Sequence, residues 1–239
     1  MSIDISAIVP VYRSQAMLPE LHRRLVGALE QIGRPFEIIL VEDCGGDDSW
    51  SVIEQLAAAD PRVLGLRLAR NYGQHNALLC GIRAARGELV VTLDDDLQNP
   101  PEEIHRLLAR LDEGYDVVYG SPQAETHGFL RDQASRITKL ALQGAMGVES
   151  ASKVSAFRVF RARLREAFAA YRSPSVNIDV LLTWGTTRFG SVLVRQDERA
   201  VGDSGYTLRK LINHAINMMT GFSVLPLQVA SVLGLAFGS

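Results

Sequence analysis

The chain has 239 residues, of which 47% are hydrophobic and 22% are charged, and its net charge is −2. This composition excludes a disordered or collagen-like chain. The small net charge does not indicate nucleic-acid binding, and the length fits one large domain or two small ones. The charge is unevenly distributed, because residues 1–120 carry 11 basic and 19 acidic side chains whereas residues 121–239 carry 14 and 8. This asymmetry indicates cation binding early in the chain and phosphate or membrane binding later.

Apolar residues recur with alternating strand and helix spacing through the first 120 residues. In chain order, this pattern predicts a strand at 5–9, a helix at 16–32, a strand at 36–41, a helix at 49–59, a strand at 63–68, a helix at 73–86, a strand at 88–93, a helix start at 99–103 and a strand at 116–119. Strands that alternate with helices form a mostly parallel sheet covered on both faces. We therefore predict one α/β domain over residues 1–205.

Two common classes of nucleotide-binding enzyme are excluded by the residues at the ends of the strands, where such sheets bind ligands. The first strand is followed by Pro10-Val11-Tyr12 and not by the glycine-rich turn of dinucleotide-binding dehydrogenases, and no P-loop motif occurs in the chain. The five histidines show no ligand spacing with the cysteines Cys44 and Cys80, which argues against a zinc site. Two cysteines and no signal peptide indicate a cytosolic, reduced environment.

An acidic cluster, Asp94-Asp95-Asp96-Leu97-Gln98, comes directly after the fourth predicted strand. If the segment is extended, side chains alternate, so that Asp94, Asp96 and Gln98 share one side while Asp95 faces the other. Oxygen ligands of this kind suit Mg²⁺ or Mn²⁺, which commonly complete their coordination with substrate phosphates. The alternative is an acid-rich loop that precedes a helix N-terminus, where acids are also favoured.

Four segments together resemble the family 2 glycosyltransferases. They are I-V-P-V-Y at 8–12, V-E-D at 41–43, R-N-Y-G-Q-H at 70–75 and D-D-D-L-Q-N-P-P-E-E at 94–103. Within that family, the chain is most similar to the branch that loads a sugar onto a polyprenyl phosphate, and its N-Y-G-Q-H segment is closest to the aminoarabinose-transferring members. The resemblance covers nearly the whole chain.

The resemblance implies a GT-A-type nucleotide-diphospho-sugar transferase fold and a role for particular residues. The nucleotide would be contacted by residues that come after the first, second and fourth strands: Pro10, Val11, Tyr12, Asp43, Asp94 and Asp95. Mg²⁺ or Mn²⁺ would be held by Asp96 and Gln98. The catalytic residues would be two carboxylates and two arginines: Asp94, Asp96, Arg131 and Arg199. The acceptor phosphate would be contacted by Arg158, Ser204 and Lys210.

The implied reaction is inverting transfer of a sugar from a UDP-sugar to a polyprenyl phosphate. A phosphate monoester is largely a dianion at neutral pH, since its second pKa is about 6, and needs no strong general base. A sugar hydroxyl as acceptor would need one, and Asp179 and Asp95 are the candidates. The sequence departs from the family pattern at Arg13-Ser14, Pro122 and Gly205, which bears on the identity of the donor. Two alternatives stay open. One is a family 2 transferase that extends a soluble glycan or polysaccharide, and the other, suggested by Arg13-Ser14 and Gly205, is a nucleotide-sugar-binding module with weak or no turnover.

The C-terminal region, residues 206–239, is apolar. Residues 211–239 contain no Asp, Glu, Lys or Arg, and about 20 apolar residues suffice for a helix to cross a bilayer. An apolar stripe with helical spacing predicts an interfacial helix first; it is formed by Leu208, Leu211, Ile212, Ala215, Ile216 and Met219. Residues 222–237 would then begin a hydrophobic span, so we expect membrane association at the cytoplasmic face, the alternative being a buried C-terminal helix. The sequence is compatible with a homo-oligomer and does not identify the sugar.

Overall fold

A seven-stranded sheet is the centre of the computed structural model, which describes residues 2–122 and 154–197. The strands are β1 (Ile5–Val11), β2 (Phe36–Glu42), β3 (Val63–Arg67), β4 (Leu89–Thr92), β5 (Val117–Pro122), β6 (Arg158–Arg161) and β7 (Phe189–Val194). Their order across the sheet is β3-β2-β1-β4-β6-β5-β7. All pairings are parallel except those of β6, which is antiparallel to both β4 and β5.

Helices cover both faces of this sheet, as the sequence predicts. They are α1 (Leu18–Ile32), α2 (Ser49–Ala59), α3 (Gln74–Ala84), α4 (Ile104–Asp112) and α5 (Ile178–Thr183), with 3₁₀ turns at Pro101–Glu103 and Ala162–Phe168. One buried apolar cluster joins the sheet to α1, α2 and α4, and a second joins it to α3 and α5. Strand β1 contributes to both, because Val9 lies in the first cluster and Ile8 in the second. The central strands are therefore buried on both sides, which explains their continuous apolar runs.

The predicted sequence of strands and helices is confirmed from residue 5 to residue 122, with shifts of one to three residues at most ends. Two features differ from the prediction. Strand β4 ends at Thr92 and the chain turns at residues 95–96. The prediction that the acidic segment is extended, with alternating side chains, is therefore wrong. Strands β6 and β7 were not predicted, because neither shows clear alternation and each is defined by its pairing with strands distant in sequence.

The chain reverses its direction of travel across the sheet at β1. It moves outward from β1 through β2 to β3, and then returns to place β4 on the other side of β1. At such a switch point the loops after two neighbouring strands diverge and leave a crevice at the carboxyl edge of the sheet, where open α/β sheets bind ligands. The loops at this crevice begin after Val11 and after Thr92.

A glycine in α3 sets how closely that helix approaches the sheet. A Cβ added to Gly81 would overlap Cγ2 of Ile8 and lie 3.2 Å from Cγ2 of Val41, and both partners are fully buried. We expect Gly81→Ala to lower the free energy of unfolding by about 1–3 kcal/mol, the usual cost of overpacking a core. Urea denaturation measures this change.

The matched control for this substitution is Gly27→Ala in α1. A Cβ at Gly27 meets nothing within 4 Å, so the variant should gain up to about 1 kcal/mol from the better helix propensity of alanine. Equal stability of the two variants would contradict the close approach of α3 to β1 and β2.

Candidate active site

The crevice at the switch point is lined by the residues that come after β1, β2 and β4, together with the N-terminus of α3. Of the eight residues that the sequence nominates for nucleotide or metal binding, six lie in the loops after β1, β2 and β4: Tyr12, Asp43, Asp94, Asp95, Asp96 and Gln98. The other two, Pro10 and Val11, are the buried last residues of β1, and Val11 belongs to the first apolar cluster. Hydrogen bonds connect their loops, since the backbone amide of Asp43 donates to the carbonyl of Val11 at 2.9 Å and that of Tyr12 donates to Asp95 at 3.0 Å. The roles of these residues in binding stay predictions.

Asp43 forms hydrogen bonds with the segment that leads into α3. Its side chain is 3% exposed, and its two carboxylate oxygens accept hydrogen bonds from the backbone amides of Tyr72 (2.7 Å) and Gly73 (2.8 Å). Burial raises the pKa of Asp43, and the two amide donors act in the opposite direction. Gly73 has a φ of 89°, a conformation that favours glycine. Asp43 therefore shapes the wall of the crevice between β2 and α3.

The acidic segment forms a tight turn whose three carboxylates contact different neighbours. Asp94 accepts a hydrogen bond from Nε2 of Gln74, at the first turn of α3. Asp95 accepts from the backbone of Tyr12 and from the hydroxyl of Ser14. Asp96 accepts from the backbone amide of Gln98 at 3.1 Å. The middle carboxylate thus contacts the loop after β1, while the outer two lie beside α3 and within the turn itself.

Three residues other than glycine adopt left-handed backbone conformations in the described ranges, and all three lie at this edge of the sheet. Arg13 (φ 57°), Cys44 (φ 53°) and Leu97 (φ 59°) occupy the loops after β1, β2 and β4. Such conformations are disfavoured for residues with a Cβ, and they concentrate where the surrounding structure holds a functional site. Their clustering supports the assignment of the crevice as the active site.

The donor atoms of the acidic turn suit a hard divalent cation. Carboxylates of Asp94 and Asp96 and the side-chain oxygen of Gln98 are oxygen ligands, which Mg²⁺ and Mn²⁺ prefer. Over residues 2–122 and 154–197, no group of three or more His, Cys, Asp or Glu side chains is arranged to hold a metal ion. Mg²⁺ is commonly bound by only one or two carboxylates plus substrate phosphates, so this small donor set fits a cation that arrives with a diphosphate.

Arg158, nominated for the acceptor phosphate, lies in the core. It is 2% exposed and forms an ion pair with Asp179, which also accepts a hydrogen bond from the hydroxyl of Tyr119 at 2.9 Å. Arg158 is paired in register with Thr92, the last residue of β4. The side chain of Arg158 therefore lies between β5 and α5, beside Tyr119 and Asp179. This placement favours a structural role over direct contact with an acceptor.

Four nominated residues lie outside the described residues: Arg131, Arg199, Ser204 and Lys210. The apolar region 206–239 lies outside them as well. Within the described part of the chain, no helix has the length and apolar character that a membrane crossing requires.

Three polar residues of the site were missed by the sequence analysis. Ser14 bonds to Asp95, Gln74 bonds to Asp94, and Nδ1 of His75 accepts the backbone amide of Ile178 at 3.3 Å, which connects α3 to α5. Their positions could have identified them, because all three come after the ends of strands at the ligand-binding edge of the sheet. In addition, Gln74 and His75 belong to the N-Y-G-Q-H segment.

The sequence profile of glycosyl transferase family 2 matches residues 6–172, a range that contains the whole crevice. The chain belongs to glycosyl transferase family 2. This family 2 chain is 38% identical over 232 residues to the undecaprenyl-phosphate 4-deoxy-4-formamido-L-arabinose transferase of Enterobacter sp. (strain 638), covering 96% of this chain and 71% of the relative. It is 40% identical to the protein of the same name from Pseudomonas aeruginosa (strain LESB58), covering 96% and 68%.

Solved structures of glycosyltransferases share the fold of this family 2 chain. Mannosyl-3-phosphoglycerate synthase from Rubrobacter xylanophilus has a TM-score of 0.65 at 18% identity, covering 91% of this chain and 72% of that one. Glucosyl-3-phosphoglycerate synthase from Mycobacterium tuberculosis, in complex with Mn²⁺, UDP-glucose and phosphoglyceric acid, has a TM-score of 0.64 at 17% identity, covering 91% and 79%. The predicted GT-A fold and family are confirmed, and the protein is a glycosyltransferase.

Proposed function

We propose that this glycosyltransferase moves a sugar from a UDP-sugar to a polyprenyl phosphate at the cytoplasmic face of the membrane, as a step in cell-envelope biosynthesis. The observation that carries the proposal is the 36–40% identity, over at least 96% of the chain, to transferases named for undecaprenyl phosphate. The crevice supports it, since its acidic turn lies at the switch point where a nucleotide diphosphate would bind.

The donor would lie across the crevice, with its nucleotide beside Tyr12 and Asp43 and its diphosphate at the acidic turn. Asp96 and Gln98 would hold Mg²⁺ or Mn²⁺, and the bound cation would neutralise the charge that develops on the leaving diphosphate. Asp94, oriented by Gln74, would contact the nucleotide side of the donor. Arg131 and Arg199 would add positive charge near the phosphates.

The surroundings of the two candidate bases, Asp179 and Asp95, support a phosphate acceptor over a hydroxyl acceptor. Asp179 is buried and paired with Arg158 and Tyr119, and Asp95 already accepts two hydrogen bonds from the loop after β1. A sugar hydroxyl would require one of them as general base, whereas a phosphate dianion is nucleophilic without one. In the proposed step, a phosphate oxygen bonds to the anomeric carbon as the bond to the diphosphate breaks, which inverts that carbon.

The test of this function compares acceptors and membranes. We expect transfer from a UDP-sugar to undecaprenyl phosphate. We also expect the chain to co-sediment with anionic liposomes through the charge-free residues 211–239 and the cations Arg199, Arg209 and Lys210 that precede them. Deletion after residue 207 should release the protein to the supernatant and slow transfer to the long-chain acceptor. A chain that remains in the supernatant and glycosylates a soluble glycan would favour the soluble-acceptor alternative.

Donor binding should depend on both the divalent cation and Asp43. A UDP-sugar at 100 times its Kd should stabilise the protein by about 2.7 kcal/mol, and only when Mg²⁺ or Mn²⁺ is present. Asp43→Ala should abolish this stabilisation by the UDP-sugar, because it releases the amides of Tyr72 and Gly73 that form the wall of the crevice. Thermal denaturation with Asp112→Ala, an exposed carboxylate at the end of α4, provides the control. Equal stabilisation by GDP-sugars would overturn the UDP assignment.

A further inference from the structure

One carboxylate oxygen accepts two hydrogen bonds from the loop after β1, on either side of a residue with an unfavourable backbone conformation. Oδ2 of Asp95 accepts the backbone amide of Tyr12 at 3.0 Å and also the hydroxyl of Ser14. Between these two donors lies Arg13, whose φ of 57° is in the left-handed region. Asp95 therefore stabilises the turn through hydrogen bonds on both sides of Arg13.

Other contacts place the same turn against its neighbours. The backbone amide of Ser14 donates to Oγ of Ser49 at 3.0 Å, at the start of α2. Nε of Arg13 donates to the carbonyl of Gly45 at 2.8 Å, and a Cβ at Gly45 would lie only 2.8 Å from the backbone nitrogen of Arg13. The turn is thus packed closely against the loop after β2, and Asp95 is its connection to the loop after β4.

We propose that Asp95 and Ser14 are positioning residues that fix the turn at 12–14, so that the half-exposed ring of Tyr12 is presented to the nucleotide. This rests on the proposed nucleotide-sugar function. The role assigned to Asp95 therefore differs from the one predicted from the sequence. Asp95 acts on the nucleotide through Tyr12 and not by direct contact. The geometry carries it, because Oδ2 of Asp95 reaches across the switch point to both Tyr12 and Ser14 in the loop after β1.

Two substitutions of Asp95 separate positioning from direct ligation or base catalysis. Asp95→Asn keeps an oxygen that can accept both hydrogen bonds but removes the charge and the basicity. Asp95→Ala removes the acceptor altogether. A positioning residue tolerates the first change far better than the second, whereas a metal ligand or a base is impaired by both.

Amide hydrogen exchange of the unliganded protein gives a direct readout. In Asp95→Ala, exchange at the amide of Tyr12 should rise at least about ten-fold, the effect of losing a hydrogen bond to a charged group. In Ser14→Ala, which keeps that acceptor but removes the hydroxyl that orients it, exchange at Tyr12 should rise by less. Asp95→Asn and Ser14→Thr should retain protection at Tyr12. The amides of Tyr72 and Gly73, held by Asp43, should be unaffected in all four variants.

Kinetics of the full chain then connect the turn to donor binding. Asp95→Ala and Ser14→Ala should raise KM for the donor by roughly ten-fold with a smaller change in kcat, and Ser14→Thr should restore KM. Mn²⁺ affinity, measured by electron paramagnetic resonance, should be retained in Asp95→Asn. Ser51→Ala, an exposed serine on α2, is the matched control and should match the parent chain.

The outcomes distinguish this proposal from the function on which it rests. Unchanged exchange at Tyr12 in Asp95→Ala would overturn the positioning role whatever the substrate is. Loss of Mn²⁺ affinity in Asp95→Asn would overturn it in favour of direct ligation. Altered exchange without any UDP-sugar turnover in the parent chain would retain the positioning of the turn and reject the proposed function.

Discussion

Asp96→Asn should abolish sugar transfer while leaving the fold intact. Asp96 is the carboxylate proposed to hold the divalent cation, and its loss removes one negative charge from a site that stabilises the leaving diphosphate in the transition state. Losses of one such stabilising group reduce kcat by about 10²–10³-fold. Transfer of radiolabelled sugar over a range of Mn²⁺ concentrations measures the effect.

The fold should survive this substitution because Asp96 lies in a surface turn and is only half-buried. Its partner, the amide of Gln98, can bond to the oxygen of asparagine. Asp112→Asn, at the exposed end of α4, controls for loss of a carboxylate elsewhere. Turnover close to that of the parent chain at low Mg²⁺ or Mn²⁺ would remove Asp96 from the metal site.

The second large effect concerns stability. Replacing either partner of the buried pair Arg158–Asp179 should lower the free energy of unfolding by about 3–5 kcal/mol, because the remaining charge is buried without compensation. Among the residues that the structure describes, Arg158→Met leaves Asp179 with the hydroxyl of Tyr119 as its side-chain partner. Asp179→Leu removes the carboxylate that accepts from both Arg158 and that hydroxyl. Urea denaturation of the two variants measures these losses.

Replacing the whole group together should recover most of the lost stability, since a buried ion pair is often no better than apolar residues of similar volume. The combined variant is Arg158→Met, Asp179→Leu and Tyr119→Phe. The control is Arg23→Met, which removes the exposed ion pair with Glu20 on α1. It should leave the urea unfolding transition nearly unchanged. If Arg158→Met alone is as stable as the parent chain, the buried pair is not what holds α5 against β6.

The sequence by itself determined the order of β1 to β5 and α1 to α4, since their apolar spacing is a local property of each segment. It also located the crevice, because ligands of parallel sheets bind after the strands, and the segments at 8–12, 41–43 and 94–103 all lie at strand ends. The family was inferred from the same residues, and the profile match over residues 6–172 confirms it.

The tertiary structure decided what depends on contacts between distant residues. The strand β6 lies between β4 and β5 through pairings on both sides that its four residues do not encode. Arg158 is buried because Asp179, 21 residues away, neutralises it. The direction of Asp95 was set by a turn and by Ser14, 81 residues away. A periodic pattern reports which face of one segment is apolar, whereas the partner of a buried charge or a carboxylate is known only once the chain has brought the two together.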